Sequence, residues 1–212
     1  MAIESDPERS RSRAADGSNA RRSDEIDEFG LGLRTPPWNV IVTARSGYRR
    51  KLRRGLAPLL RLRRSAYPNV LTGLREDPQV FLDSLNSLLV EKPYLQVPIS
   101  RLMTVERTFS VDPPGFAQQL EAEIEPFIQH VAGKTFHVRL ERRGHKGRIH
   151  SKNCEVSLGG HIFERLASQG FKPVVRFDDP DVIVVVEIID DRAGIRLLTR
   201  ADRERYPLLK TD

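Results

Sequence analysis

The chain has 212 residues, enough for one large domain or two small ones, and 39% of them are hydrophobic, so a packed core is feasible. Lysine and arginine number 35 against 29 aspartates and glutamates, and the formal net charge of +6 favours a polyanionic partner. The one cysteine, Cys154, excludes a disulfide scaffold and a cysteine-rich zinc site. The longest apolar run, residues 182–186, is too short to span a bilayer, and the N-terminus lacks an apolar leader. We therefore expect a cytoplasmic protein with no membrane partner.

Residues 1–36 are expected to form a disordered tail. They are rich in Ser, Arg, Asp, Glu and Gly, and large apolar residues are sparse among them. This segment holds 6 basic and 8 acidic residues, so 29 of the 35 basic and 21 of the 29 acidic residues lie in the remainder. The positive charge therefore belongs to the part of the chain that is expected to fold.

The pattern over residues 37–111 predicts a β-α-β-α-β unit. Its expected elements are a strand over 38–44, a helix over 48–62, a strand over 68–72, a helix opened by Asp77 and Pro78, and a strand over 101–111. Asp77 suits the N-cap of the second helix, and Pro78 suits its first turn. This order resembles a ferredoxin-like domain.

Residues 112–212 are expected to form a second unit, which makes the fold class α+β. The predicted elements are a helix over 115–131, a strand over 134–141 with strict apolar alternation, a helix over 153–168 that buries Val156, Ile162, Phe163 and Leu166, and a hairpin over 182–199. The first hairpin strand is apolar except for Glu187, which is typical of a strand covered on both faces.

One segment of twenty residues, 45–64, contains basic side chains and no acidic one. These are Arg45, Arg49, Arg50, Lys51, Arg53, Arg54, Arg61, Arg63 and Arg64. Like charges at positions i and i+4 destabilise a helix, and a merely solvated helix face would interleave acids to relieve that repulsion. We interpret the segment as a polyphosphate-binding surface; the alternative is an ordinary charged helix face.

A second basic cluster lies around a glycine-containing loop. It comprises Arg139, Arg142, Arg143, His145, Lys146, Arg148, His150 and Lys152, with Glu141 as its one acid. Gly144 and Gly147 let the loop backbone approach a ligand closely, and arginine can clamp phosphate with two hydrogen bonds. The alternative interpretation is a soluble surface loop.

No motif for catalysis is found. The sequence has no phosphate-cradling glycine loop with lysine, no dinucleotide-binding glycine pattern and no HExxH metal motif. Cys154 and His150 lack a third member of a nucleophilic arrangement, and the pairs Asp178–Asp179 and Asp190–Asp191 are typical of turns. We therefore predict no catalytic residue, no metal and no cofactor.

Three segments of the second unit resemble the THUMP domain family: Phe136–Lys146 with its basic loop, Val175–Asp181 with its Pro-Asp turn, and Val184–Ile189. An upstream ferredoxin-like unit is also typical of that family. The resemblance implies RNA binding, chiefly capture of the acceptor stem and single-stranded 3′ end of tRNA for an attached or partner modification enzyme. About a dozen residues follow the last predicted strand, so the chain looks most like the stand-alone THUMP adaptors that assist tRNA cytidine N4-acetylation.

The main hypothesis is a non-catalytic adaptor that presents tRNA to a partner tRNA-modification enzyme. The predicted RNA-binding residues are Arg49, Arg50, Lys51, Arg53, Arg54, Arg139, Arg142, Arg143, His145, Lys146, Arg148 and Lys152. A small enzyme would instead show a pocket with converging titratable groups, and a protein-interaction scaffold would show salt-insensitive binding. Asp112-Pro113-Pro114 is a stiff junction, and we expect residues 112–212 to fold alone while both units bind one tRNA jointly.

Overall fold

The computed structural model describes residues 35–211, in which two β-sheets carry helices in a mixed α/β arrangement. All but the last two residues of the predicted tail over 1–36 lie outside this range. Within the described part of the chain, no helix is both long enough and apolar enough to cross a membrane.

The first sheet has four antiparallel strands in the order β2-β3-β1-β4. Its elements are β1 (Val40–Ala44), α1 (Arg49–Leu56), β2 (Arg63–Arg64), β3 (Val70–Gly73), α2 (Pro78–Glu91) and β4 (Ile99–Thr104). In the centre of this sheet, Val42 of β1 is opposite Leu71 of β3 on one side and Leu102 of β4 on the other.

Local sequence explains where the two helices of this half begin and end. The Asp77 carboxylate accepts hydrogen bonds from the backbone N–H groups of Gln79 and Val80, and Pro78 occupies the first turn, so the predicted start of α2 is confirmed. The predicted helix over 48–62 is shorter than expected, because α1 ends at Leu56 two residues before Pro58, whose ring opposes a continued helix. Strand β2 was not predicted, since two exposed arginines have no apolar alternation.

The second sheet has five strands in the order β5-β9-β8-β6-β7. Its elements are β5 (Arg107–Ser110), α3 (Phe116–Ile124), β6 (Thr135–Arg143), α4 (Ser151–Ser168), β7 (Val174–Val175), β8 (Val182–Ile189), β9 (Arg192–Thr199) and α5 (Arg200–Arg205). Strand β6 runs parallel to β7 and β8, whereas β9 is antiparallel to β8 and β5. Two 3-10 turns, Pro93–Leu95 and Glu125–Val131, complete the chain's regular structure within the described residues.

The predicted single strand over 101–111 is wrong, because this segment contributes β4 to the first sheet and β5 to the second. The backbone N–H of Val105 still donates to Asn39 beside β1, whereas the N–H of Glu106 donates to Ile195 of β9. The chain therefore changes sheets between two adjacent residues. Apolar residues occupy alternate positions on both sides of the change, at 103 and 105 and again at 109 and 111, so the pattern favoured one continuous strand, although Arg107 interrupts it.

The two sheets share a hydrophobic core. Strand β8 alternates, so that Val184 and Val186 pack with α3 and α4 while Ile183 and Val185 pack with the first sheet and its helices. The first sheet with α1 and α2 therefore packs on one face of β8, and α3 with α4 packs on the other. Burial of β8 on both faces agrees with its predicted apolar run.

A buried charged group lies between the sheets. Glu187 of β8 is fully buried, and its carboxylate accepts hydrogen bonds from Arg101 of β4 and from Arg143 Nη1 at 2.9 Å. Burial raises the pKa of this carboxyl, while the two guanidinium groups lower it. Arg101 Nε also donates to the Lys210 carbonyl oxygen at 2.7 Å, so one network connects both sheets with the C-terminal segment.

Candidate nucleic-acid interface

Helix α1 presents basic side chains on one face and apolar side chains on the other. Leu52 and Leu56 are buried against the first sheet, whereas Arg50, Lys51, Arg53 and Arg54 are exposed and Arg49 is half-buried. The helix is amphipathic because its leucines are four residues apart, so the residues between them point to solvent.

The cations of segment 45–64 have no acidic partner. Among the described residues, none of the nine basic side chains of this segment takes part in an ion pair. The local contacts are a hydrogen bond from Arg45 Nε to the Ile99 carbonyl oxygen at 3.4 Å and the position of Lys51 Nζ, 5.9 Å above the centre of the Tyr94 ring. Arg61, Arg63 and Arg64, which follow α1 in the chain, are also exposed, the last two on β2. We call this set the α1 surface.

In the second basic cluster, some side chains are exposed to solvent, whereas others bind groups inside the protein. Lys146 and Arg148 are exposed and form no ion pair with another described residue. Lys152 is an exposed residue in the first turn of α4, and its Nζ lies 4.0 Å from Glu155 Oε2 and 5.9 Å above the centre of the Phe177 ring. These three predicted residues are placed to meet an anion in solution.

Four other predicted residues already have partners inside the protein. Arg139 forms an ion pair with Glu141 at 3.1 Å, Arg142 donates to the Gly144 carbonyl oxygen, and Arg143 binds Glu187 with 17% of its side chain exposed. His145 Nε2 lies 2.6 Å from the Asp190 carbonyl oxygen. Arg142 and Arg143 are both half-buried, although a basic loop position favours exposure; contact of these four side chains with RNA stays a prediction.

The two basic regions approach each other through Tyr67. The Tyr67 hydroxyl, in the loop after β2, donates to Asp190 Oδ1 at 2.6 Å, next to Gly144 of the basic loop. Burial and this hydrogen bond raise the pKa of Tyr67 to about 12. Sequence patterns did not indicate this contact, because it joins residues far apart in the chain.

An apolar groove adjoins Lys152, where α4 passes over β6 and β7. The predicted burial of Val156 and Phe163 is wrong: they are 64% and 43% exposed. The buried stripe of α4 is instead Cys154, Leu158, Ile162 and Leu166, spaced four residues apart, which leaves the other two side chains beside it rather than under it.

Aromatic rings line this groove, which we call the α4 groove. The His137 and Phe177 rings stack with centroids 5.5 Å apart, and Phe163 and Val175 extend the apolar wall. The groove encloses about 260 Å³, and Gly159 and Gly160 leave its floor without side chains. Phe177 is 72% exposed. An open aromatic groove beside a lysine can stack a planar ligand that carries negative charge.

The α4 groove contains few groups capable of proton transfer. His137 Nδ1 lies 2.9 Å from the Arg176 carbonyl oxygen, and Glu155 accepts the Leu140 N–H at 2.9 Å. Burial raises the pKa of the Cys154 thiol, which disfavours the reactive thiolate. Among residues 35–211, no group of three or more His, Cys, Asp or Glu side chains could hold a metal ion.

Comparisons with known proteins agree with this architecture. Residues 116–198 match the THUMP domain model, so this chain contains a THUMP domain. The structure of TrmN from Thermus thermophilus is similar at a TM-score of 0.54 and 18% identity, covering 74% of this chain and 44% of that one. PH1313 from Pyrococcus horikoshii Ot3 is similar at 0.52 and 13%, covering 76% and 54%.

A third similar structure is that of a 4-thiouridine synthetase in complex with RNA and bound ATP, at a TM-score of 0.50 and 15% identity, covering 76% of this chain and 41% of that one. These identities show a shared fold alone. The chain spans about half or less of the length of each of these three structures. A comparison with curated proteins finds no match.

Proposed function

We propose that this protein binds tRNA and presents its acceptor end to a partner tRNA-modification enzyme, without catalysing the modification itself. The observation that carries the proposal is the α1 surface, where nine basic side chains have no acidic partner among the described residues. Such a surface favours a dense polyanion, since each phosphate contact releases counterions condensed on the nucleic acid.

Each surface suits a different part of such an RNA. Helical RNA hides its base edges in a deep groove, so the α1 surface would follow the phosphate backbone of the stem. Unpaired bases can stack on aromatic side chains, and the α4 groove offers Phe163, Phe177 and His137 beside Lys152. The solved 4-thiouridine synthetase, with its bound RNA, supports an RNA ligand for this fold.

We further propose that the protein is non-catalytic and that its partner enzyme modifies cytidine. His137 and Glu155 of the α4 groove are engaged by backbone groups, the Arg176 carbonyl oxygen and the Leu140 N–H, which supports an adaptor. A cytidine acetyltransferase is the partner that the family resemblance suggests. We also infer that residues 37–111 contain a ferredoxin-like unit, because β1 to β4 with α1 and α2 follow the β-α-β-β-α-β order of that fold.

The test is a salt titration of tRNA binding by the full chain and by a double variant, Arg53→Ala with Arg54→Ala. If both side chains contact phosphate, affinity falls and the slope of log K against log salt becomes shallower by about 0.9 per lost contact, the value for duplex DNA. Arg165→Ala is the matched control, because that exposed arginine is paired with Glu125 at 3.0 Å. Salt-insensitive binding by the unaltered chain would refute the proposal and favour a protein-interaction scaffold.

Catalysis is tested separately. The purified chain, incubated with tRNA and an acetyl or methyl donor, should yield no new modified nucleoside in mass spectrometry. A modified nucleoside formed by this chain alone would overturn the adaptor role while leaving tRNA binding intact.

A further inference from the structure

Three loops from different parts of the chain meet at one point, which we call the three-loop junction. Tyr67 comes from the loop between β2 and β3, Asp190 from the turn between β8 and β9, and Gly144 with His145 from the basic loop after β6. Asp190 contacts all of them: its carboxylate accepts from Tyr67 at 2.6 Å, its carbonyl oxygen lies 2.6 Å from His145 Nε2, and its N–H donates to the Arg143 carbonyl oxygen at 2.9 Å.

The backbone at this junction is held in an uncommon conformation. Asn69, His145 and Asp190 have φ of 62°, 49° and 51°, in the left-handed region that residues with side chains rarely adopt. Gly144 has φ of 116°, and a Cβ atom there would lie 2.9 Å from the Tyr67 hydroxyl. Such backbone conformations are strained, so they persist only where surrounding contacts hold them in place. They are common at functional sites.

The three-loop junction joins two loops that carry basic side chains, and none of these cations forms an ion pair with another residue in the range 35–211. Arg63 and Arg64 precede Tyr67 on the first sheet, and Lys146 and Arg148 follow His145 on the basic loop. Without the bonds to Asp190, two glycines would leave the basic loop free to sample many positions relative to the α1 surface. With those bonds, both sets of cations are held at one separation before any ligand arrives, which reduces the entropy lost on binding.

We propose that the three-loop junction is a positioning element that holds the basic loop in register with the α1 surface, so that one RNA engages both. The inference rests on the proposed function. Tyr67 acts through Asp190 and the basic loop and does not itself contact RNA, because its hydroxyl donates to Asp190 and its side chain is half-buried.

The test uses Tyr67→Phe in the full chain, which removes a hydroxyl and keeps the ring. Tyr206→Phe is the matched control, because the Tyr206 hydroxyl also donates to a carboxylate, that of Asp83 on α2, away from both basic sets. Both variants lose one tyrosine–aspartate hydrogen bond, and Tyr206→Phe also loses the bond that Gln79 Nε2 donates to the Tyr206 hydroxyl at 2.6 Å. A merely structural role therefore predicts that Tyr206→Phe loses at least as much tRNA affinity as Tyr67→Phe. A positioning role predicts that Tyr67→Phe alone weakens binding, by roughly tenfold, which is a part of the roughly 10²- to 10⁴-fold gain that joined sites can give.

Two further measurements distinguish the possible results. The salt slope should stay unchanged in Tyr67→Phe, since no phosphate contact is deleted, and amide hydrogen exchange should quicken over residues 143–149 in Tyr67→Phe but not in Tyr206→Phe. If the unaltered chain fails to bind tRNA, the proposed function is wrong. If it binds, and Tyr67→Phe binds as tightly as Tyr206→Phe with unchanged exchange in the loop, the junction has no positioning role.

Discussion

At the level of single residues, arginines with the same sequence surroundings have different physical roles. Arg148 is exposed on the basic loop, whereas Arg143, five residues earlier, binds a fully buried carboxylate. A count of charged residues in the sequence does not distinguish these two arginines. Substitution of each should therefore change a different property, stability for Arg143 and binding for Arg148.

We expect Arg143→Ala to lower the free energy of unfolding by about 3 kcal/mol, because removing one partner of a buried ion pair leaves a poorly compensated charge. Lys146→Ala with Arg148→Ala should leave unfolding unchanged and weaken tRNA binding with a shallower salt slope. Urea unfolding and a salt titration of all variants measure both effects. Equal stability of Arg143→Ala and the unaltered chain would contradict the structural role of the Arg143–Glu187 bond.

A pH effect is expected from Asp181, at the start of β8. Its carboxylate accepts hydrogen bonds from the Thr135 hydroxyl and N–H and from Arg200, and these lower the pKa of Asp181 from 3.8 to about 2. Because the folded state favours the ionised form, this contribution to stability is present above pH 3.8 and is lost as the pH falls towards 2.

When the pH is lowered from 3.8 to about 2, the free energy of unfolding should therefore fall less in the Asp181→Asn variant than in the unaltered chain. Urea unfolding at several pH values in this range measures the difference. Asp178→Asn is the control, since Asp178 is exposed and has no ion pair or hydrogen bond with another described residue. An identical acid response in the unaltered chain and Asp181→Asn would show that this carboxylate does not contribute.

At the level of elements, helix α4 has one buried apolar face and one exposed face that carries apolar side chains. Its buried stripe joins the THUMP domain core, while Val156 and Phe163 remain on the surface beside Phe177. Large exposed apolar side chains grouped in one groove are typical of a binding site. The groove follows from the rotation of α4 about its axis, which packing against β6 and α3 determines.

We expect Phe163→Ala and Phe177→Ala each to weaken binding of an RNA with an unpaired 3′ end by about 1–3 kcal/mol, the value of one base–aromatic stack. A blunt duplex of the same stem should bind all variants equally. Phe171→Ala is the control, because Phe171 is 40% exposed, close to the 43% of Phe163, but lies outside the groove. If a phenylalanine variant loses the same affinity for the blunt duplex as for the RNA with the unpaired 3′ end, this groove does not bind an unpaired base by stacking.

For the whole molecule, the shared core determines what can fold separately. Ile183, Val185 and Leu198 of the second sheet are buried in the same cluster as α1, α2 and the first sheet, and β5 at residues 107–110 pairs with β9. The sequence predicted that residues 112–212 fold alone. The shared core predicts the opposite, because this fragment lacks β5 and exposes one face of β8.

We therefore expect the fragment 112–212 to show no cooperative unfolding and to bind a hydrophobic dye, whereas residues 35–212 fold. Exposing each large apolar side chain costs roughly 1.5–3 kcal/mol, and three of them approach the typical total stability of about 5–15 kcal/mol. Circular dichroism during thermal unfolding of both fragments is the measurement. A cooperative transition in the fragment 112–212 would show that the second sheet does not need the first.

The sequence by itself determined those features that depend on neighbours along the chain. The N-cap of α2 at Asp77, the alternation of β6 and the acid-free charge of segment 45–64 follow from nearby residue types, because capping, pleat and local charge act over a few residues. The THUMP resemblance rests on the same kind of local pattern.

Only the tertiary structure decided which groups meet from distant positions. The change of sheet at Val105, the burial of Arg143 on Glu187, the aromatic groove beside α4 and the contact of Tyr67 with Asp190 all join residues that no sequence spacing relates. The same apolar alternation is compatible with a strand in either sheet, and the same positive charge is compatible with an internal acidic partner or with an external ligand. The choice between them is made by the burial and hydrogen bonding of the whole fold, which is why the basic residues could be found from the sequence while their separation into occupied and free ones could not.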